Sequence, residues 1–118
     1  MKKIFLTIVL AFMFTPSVFA ESITIKNTSW TIYEDDGHET LFNFKGDFSC
    51  TYALLKSPSG NEGRIYSNCE WFQNKNVVTI SINKFYYTFS AIIEDNKMIG
   101  HSYSNTGQDD SSLIGKIN

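Results

Sequence analysis

Two histidines and a few neighbouring carboxylates are the side chains in this sequence with the chemistry for acid–base catalysis or metal binding. His38 lies in the acidic, turn-rich segment 35–39, and His101 follows Gly100 in a segment of alternating apolar and polar residues. A catalytic site needs a nucleophile with its base, a matched pair of carboxylates or a metal cluster. The sequence offers none of these at a convincing spacing, so the pattern favours a solvated loop for His38 and a surface or rim position for His101. We therefore predict that the protein is not an enzyme and has no catalytic residues, no metal ligands and no cofactor.

Cys50 and Cys69 are the only cysteines. They lack the C-x-x-C spacing that lowers a thiol pKa in redox proteins, and no second pair of metal ligands accompanies them. In a chain that reaches an oxidising compartment, an even pair of cysteines indicates a disulfide. We predict a Cys50–Cys69 bond.

Residues 1–20 have the pattern of a secretory signal peptide. Lys2 and Lys3 precede an apolar run at 4–14, and Val18-Phe19-Ala20 provides a cleavage site before Glu21. The apolar run is shorter than the roughly 20 residues that a membrane helix needs, although an uncleaved N-terminal anchor is an alternative. We predict a signal peptide at 1–20, a single domain at 21–118 without a membrane span, and a periplasmic or secreted location.

The charge balance excludes two classes of partner. The whole chain has a net charge of −2, with 10 basic and 12 acidic side chains, and loss of Lys2 and Lys3 makes the remainder more acidic. Nucleic acids and anionic membranes are bound through clustered Lys and Arg. We expect neither as a partner.

After residue 20 the dominant pattern is a period-two alternation of apolar and polar residues, interrupted by clusters of Gly, Asn, Asp and Ser. The turn clusters divide the chain into eight short segments, with no room for crossover helices. Strands joined by tight turns are antiparallel neighbours, and closure removes their exposed edges. We predict an all-β fold, a small eight-stranded antiparallel up-and-down barrel, with Cys50 and Cys69 on its adjacent third and fourth strands.

Aromatic residues make up 15% of the chain and supply the candidate binding residues. In a closed barrel alternate residues of each strand point inward, and such residues either fill the barrel or line a pocket in it. The alternation gives four candidate ligand-binding residues: Phe44, Tyr52, Trp71 and Tyr87. It places three others outside, where they would form a surface for a partner protein: Tyr66, Phe72 and Tyr86.

The order of these features also resembles a known family. Trp30 near the start of the domain, Phe42-Asn43-Phe44 before Gly46-Asp47, Cys69-Glu70-Trp71 in the middle and Leu113-Ile114-Gly115-Lys116 at the end resemble the small lipocalin-like (calycin-type) barrels of bacterial exported proteins. The resemblance implies a binding protein rather than a catalyst. The chain is shorter than full-sized lipocalins and lacks their Gly-x-Trp motif, since Thr28 and Ser29 precede Trp30.

Two binding functions remain open from the sequence, with an enzyme as the third and less favoured alternative. The first is a noncatalytic binding protein that takes an apolar or amphipathic small ligand at the open end of the barrel. The second is an inhibitor or immunity-type protein that binds a partner protein through its outer aromatics and loops. An internal cavity larger than about 300 Å³ would favour the first, and a filled barrel with a flat aromatic patch would favour the second.

Overall fold

The computed structural model describes residues 24–57, 62–107 and 110–118, so the segment expected to be a signal peptide lies outside it. Eight antiparallel strands close into a barrel in the order of the sequence, with β1 paired to both β2 and β8. The strands are β1 Thr28–Glu34, β2 Glu39–Phe44, β3 Ser49–Lys56, β4 Ile65–Asn74, β5 Val77–Ile82, β6 Tyr87–Glu94, β7 Lys97–Ser104 and β8 Ser111–Ile117. The predicted all-β up-and-down barrel is confirmed. The described residues include no helix long and apolar enough to cross a membrane.

Short turns fix the hairpins. Asp95 and Asn96 form the two-residue turn between β6 and β7 with φ values of 49° and 61°. Both values lie in the left-handed region, which Asn and Asp tolerate better than most residues and which matches the twist of paired strands. Local turn chemistry therefore sets the register that brings inward side chains together.

Large side chains fill one end of the barrel. Trp71 is 1% exposed, its ring meets Phe44 edge-on at a centroid distance of 6.0 Å, and its indole N–H donates to the Lys45 carbonyl at 3.0 Å. Trp30 is equally buried, and Ile25 just before β1 is fully buried and bonded through its backbone N–H to Gln73. This end, which carries the β2–β3, β4–β5 and β6–β7 turns, is closed by packing.

The disulfide is present as predicted. Cys50 and Cys69 are direct partners in the register between β3 and β4, with their Cα atoms 4.9 Å apart. Both cysteines are buried in the core.

Just beyond the disulfide, β4 bulges, and this reverses the predicted orientation of its first residues. Cys50 pairs with Cys69, but Tyr52 pairs with Tyr66, so β4 carries one residue more than β3 between the two pairs. An extra residue in one strand moves every side chain beyond it to the opposite face. Tyr66 therefore lies on the inner face beside Tyr52, and the prediction that it points outward is wrong. Ile65, which regular alternation from Cys69 would place inside, is 72% exposed.

Regular alternation from Cys50 and from Tyr87 would place two further aromatics inside, but both lie in turns. Phe48 and Phe85 are each about half exposed, and both have positive φ values. The alternation of side chains between the inner and outer faces holds only where the backbone is extended. It therefore does not apply to these two turn residues.

Candidate functional site

The other end of the barrel holds a cavity of about 570 Å³. It lies where the β1–β2 and β5–β6 turns meet the inner face of the strands. The cavity has two chemically different walls. One wall is aromatic and aliphatic: Tyr52, Leu54, Ile82, Tyr86, Tyr87 and Phe89. The other wall is polar: Glu34, Asp36, His38, Thr40 and Ser111.

Glu34, the last residue of β1, is the most buried carboxylate of the polar wall. It is 9% exposed, and its Oε1 accepts a 2.8 Å hydrogen bond from the hydroxyl of Ser102 on β7. Since the single hydroxyl proton of Ser102 goes to Glu34, the phenol of Tyr87, 3.3 Å from Ser102 Oγ, is the donor in that second contact. Burial raises the pKa of Glu34 above its usual value, and it outweighs the Ser102 hydrogen bond, which acts in the opposite direction.

Asp36 has a different environment in the β1–β2 turn. Its Oδ1 lies 2.9 Å from His38 Nδ1 and accepts the His38 backbone N–H at 3.1 Å, while Oδ2 accepts the hydroxyl of Ser111 at 3.2 Å. Its modest burial would raise the pKa of Asp36, but the hydrogen bonds from His38 and Ser111 outweigh it and hold the pKa below its usual range. Both oxygens of Asp36 are thus occupied in organising the turn. His38 lies in the turn between β1 and β2, as predicted, with 33% of its side chain exposed, and it also lines the cavity, which the sequence did not predict.

The polar wall contains the residue types of a hydrolytic triad, but in the wrong order. In such a triad the histidine accepts the proton of the serine, and the carboxylate orients the far side of the histidine. Here Asp36 lies between Ser111 and His38 and binds both. The serine proton is directed to the carboxylate, so this arrangement does not generate a serine nucleophile.

The same wall brings three potential metal ligands together. One ligand atom from each of Glu34, Asp36 and His38 lies within 4.8 Å of the others. Carboxylate and imidazole groups are common ligands of divalent cations, although exposed acidic groups also gather without one. The sequence did not predict this cluster, because Glu34 lies at the end of a strand and outside the turn motif.

Stacked rings hold the aromatic wall in place. Tyr52 stacks on Tyr66 at a centroid distance of 5.0 Å and contacts Phe42 at 5.8 Å, while Tyr87 meets Phe89 edge-on at 5.5 Å. Burial and the neighbouring Tyr66 raise the pKa of the Tyr52 phenol. These contacts tie the cavity lining to the fully buried core residue Phe42, so the wall is preformed.

Of the four predicted ligand-binding residues, the structure brings two to the cavity. Tyr52 and Tyr87 line it, whereas Phe44 and Trp71 pack against each other at the closed end. Alternation identifies which residues face the inside of the barrel but not their position along the barrel axis. That position decides whether an inward side chain lines the cavity or fills the closed end.

The three predicted partner-surface residues are also divided. Phe72 is 45% exposed and stacks on Phe85 at a centroid distance of 6.3 Å. Tyr86 is 57% exposed, but it also lines the cavity at its rim, and Tyr66 lies inside. His101 is a surface residue, as predicted, with its side chain 63% exposed and 3.5 Å from Asp110.

The outer wall carries an apolar row that alternation did not single out. Its residues are direct register neighbours on five consecutive strands, each between 40% and 51% exposed: Val77, Ile92, Ile99, Ile114 and Tyr33. We call this set the apolar row. Scattered exposed apolar residues are ordinary, but a contiguous patch is typical of an interaction surface.

Comparison with known proteins supports the fold alone. No known sequence family and no curated protein matches the chain. The chain is similar in structure to a crystal structure from Burkholderia vietnamiensis described as a "putative beta-lactamase", with a TM-score of 0.60 and 14% sequence identity over 82% of this chain and 96% of that one. Two barrels at this identity share an architecture, and an activity does not follow from it.

Proposed function

We propose that this protein is a noncatalytic binding protein that takes an amphipathic small molecule into the open end of its barrel. The observation that carries the proposal is the cavity of about 570 Å³, which lies within the range of roughly 300 to 1,000 Å³ typical of small-molecule sites. Its two walls match a molecule with an apolar body and a polar end. The apolar body would pack on Tyr52, Leu54 and Phe89, and the polar end would face Glu34 and Thr40.

We also propose that the protein is exported and lipocalin-like. The disulfide between Cys50 and Cys69 suits an oxidising compartment. The eight-stranded barrel with one filled and one open end suits the lipocalin type of ligand binding. The absence of catalysis is supported by the order of Ser111, Asp36 and His38, in which the serine hydroxyl donates to the carboxylate and not to the histidine.

Filling the cavity tests the proposal directly. Titration with an environment-sensitive apolar dye should give saturable binding, and Leu54→Trp should weaken it at least tenfold because the larger side chain occupies the cavity. Leu55→Trp is the matched control, since Leu55 is the next residue of β3 and is 47% exposed on the outer face. Absence of saturable binding, or equal loss in both variants, would contradict the proposal.

Trp71 is not a suitable reporter for this titration, because it lies at the closed end and not in the cavity. We expect its emission to stay unchanged while the dye signal saturates. A chromogenic β-lactam should not be hydrolysed above the buffer rate, and turnover that is lost in Ser111→Ala would overturn the noncatalytic assignment.

The apolar row favours a second candidate function, which is recognition of a partner protein through the outer wall. A photocrosslinking residue at Ile99 should then give one discrete adduct in cells of the native host. That adduct should disappear in Ile114→Asp, because Ile114 is the register neighbour of Ile99. The same crosslinker at the exposed Asn43 on β2 is the control. Equal crosslinking from both positions would remove this candidate.

A further inference from the structure

We propose that the cavity selects ligands whose polar end is a protonated amine, with the Glu34 carboxylate as its counter-ion. This inference rests on the proposed function and names the ligand class. It follows from the charge of the polar wall, from the burial of Glu34 and from the aromatic character of the opposite wall.

The lining of the cavity is acidic on balance, with two carboxylates against one imidazole. Glu34 and Asp36 are the carboxylates of the lining, and His38 is its other ionisable group apart from the tyrosines. The described lining residues include no Lys or Arg. A carboxylate-bearing ligand would meet like charge at close range, whereas an ammonium group would meet opposite charge.

Glu34 is the group in this wall that most needs a cation. Asp36 is already bound by His38 and Ser111, whereas the side-chain hydrogen bond to Glu34 among the described residues comes from Ser102. The Glu34 residue is 9% exposed, so its carboxylate has lost part of its hydration, and the Ser102 hydroxyl replaces only some of what is lost. An ammonium group would restore more, because it brings a full positive charge and three N–H donors to the carboxylate, whereas the Ser102 hydroxyl brings one donor and no charge.

Neighbouring groups hold Glu34 ready for this contact. Ser102 fixes one carboxylate oxygen, and Tyr87 in turn binds Ser102 from the aromatic wall. Aromatic rings also attract cations through their π faces, so Tyr52 and Tyr87 suit both the hydrocarbon body and the positive end of such a ligand. A ligand of this class would place its charge beside Glu34 and its hydrocarbon against the tyrosines.

The test uses three probes with the same alkyl chain: octylamine, 1-octanol and octanoate. Each is titrated against the bound dye at pH 7 with EDTA present, so that no metal ion contributes. Octylamine should displace the dye at a concentration at least tenfold lower than 1-octanol, and octanoate should be the weakest of the three.

Glu34→Gln should abolish the preference for octylamine over 1-octanol, because loss of the carboxylate charge weakens binding of the cation far more than binding of the uncharged alcohol. The glutamine keeps the oxygen that accepts the Ser102 hydrogen bond, so the shape of the wall is preserved. Glu39→Gln is the matched control, since Glu39 begins the neighbouring strand but does not line the cavity. It should leave the preference unchanged.

The outcomes separate this inference from the function on which it rests. If 1-octanol and octylamine bind equally to the unmodified protein, the amine inference is overturned and small-molecule binding stands. If no probe displaces the dye and the dye itself does not bind, the proposed function fails as well. If octylamine binds only after Zn²⁺ replaces EDTA, and His38→Ala abolishes that binding, the cluster of Glu34, Asp36 and His38 is a metal site and the amine inference is wrong.

Discussion

The Ser102 hydroxyl on β7 donates a 2.8 Å hydrogen bond to the Glu34 carboxylate on β1, across the inside of the barrel and past the intervening strand β8. The two residues are 68 positions apart in the sequence. The contact keeps a carboxylate inside the cavity although burial raises its pKa. A carboxylate that is kept in an environment that disfavours its charged form is a candidate functional group, because selection for stability alone would not retain it.

The first prediction is that Glu34→Gln stabilises the ligand-free protein at neutral pH by about 1 to 2 kcal/mol, the order of the cost of incomplete hydrogen bonding in a buried polar group. The pKa of Glu34 is raised in the folded state, so the folded protein binds this proton more tightly than the unfolded chain. The unfavourable contribution is therefore complete above the folded pKa, shrinks as the pH falls through it, and is absent below the unfolded value.

Urea unfolding at a series of pH values from 8 to 4 measures this effect. The difference in free energy of unfolding between Glu34→Gln and the unmodified protein should be largest at pH 8 and should shrink towards pH 4. Glu70→Gln on the outer face of β4 is the control for removing one surface charge. A difference that grows as the pH falls would show that the sign is wrong.

The second prediction concerns the disulfide. Replacing both Cys50 and Cys69 with Ser should lower the free energy of unfolding by about 2 to 4 kcal/mol, because the bond closes a loop in the unfolded chain between residues 19 positions apart. We expect the backbone hydrogen bonds between β3 and β4 to keep the same register without the disulfide, so far-ultraviolet circular dichroism should be retained. Two free thiols found by alkylation and mass spectrometry in the native protein would contradict the bond itself.

The third prediction is that Gly100→Ala is strongly destabilising, by about 3 kcal/mol or more. A Cβ atom at Gly100 would lie 1.9 Å from the carbonyl oxygen of Ser90, so β6 and β7 would have to separate. Gly107→Ala is the matched comparison. It has open space around the added atom but a φ of +82°, and it should cost about 1 to 2 kcal/mol from backbone strain alone. Thermal unfolding of the two variants should rank them in this order, and equal midpoints would refute the steric argument.

The sequence was sufficient for the fold because the signals that specify it are local. Alternation along Val78, Ile80 and Ile82 and the turn residues at Asp95 and Asn96 act within a few positions, and they led to eight strands in a closed barrel. The disulfide followed, because a hairpin between consecutive strands brings its two cysteines into register. Local patterns of this kind are reliable wherever one face of a strand is buried.

The same reasoning from local patterns identified only part of the candidate site. Tyr52 and Tyr87 were identified, but the contact between Glu34 and Ser102 depends on the closure and stagger of the barrel, which no local pattern contains. Phe44 and Trp71 were assigned to the site because alternation does not report depth along the barrel axis. The bulge in β4 could not be predicted from a Gly or Pro, because Ser67 and Asn68 occupy the affected positions.

The last prediction concerns Tyr66, which the bulge in β4 places on the inner face of the barrel. Tyr66 stacks on Tyr52 at a centroid distance of 5.0 Å with the rings 20° apart, so it positions one residue of the aromatic wall without lining the cavity itself. Removing a stacked aromatic partner costs roughly 0.5 to 1.5 kcal/mol beyond the area that it buries. We expect part of this energy to hold Tyr52 in its binding orientation, so Tyr66→Ala should weaken dye binding, by about 12-fold at most. Tyr66→Phe, which keeps the ring and loses only the hydroxyl, should restore affinity to within twofold of the unmodified protein. Phe72→Ala on the outer face of the same strand is the matched control, and it should leave dye binding unchanged. If Tyr66→Ala left dye binding unchanged, the stacking of Tyr66 on Tyr52 would not support the aromatic wall, and the inner-face position that the bulge gives to Tyr66 would be contradicted.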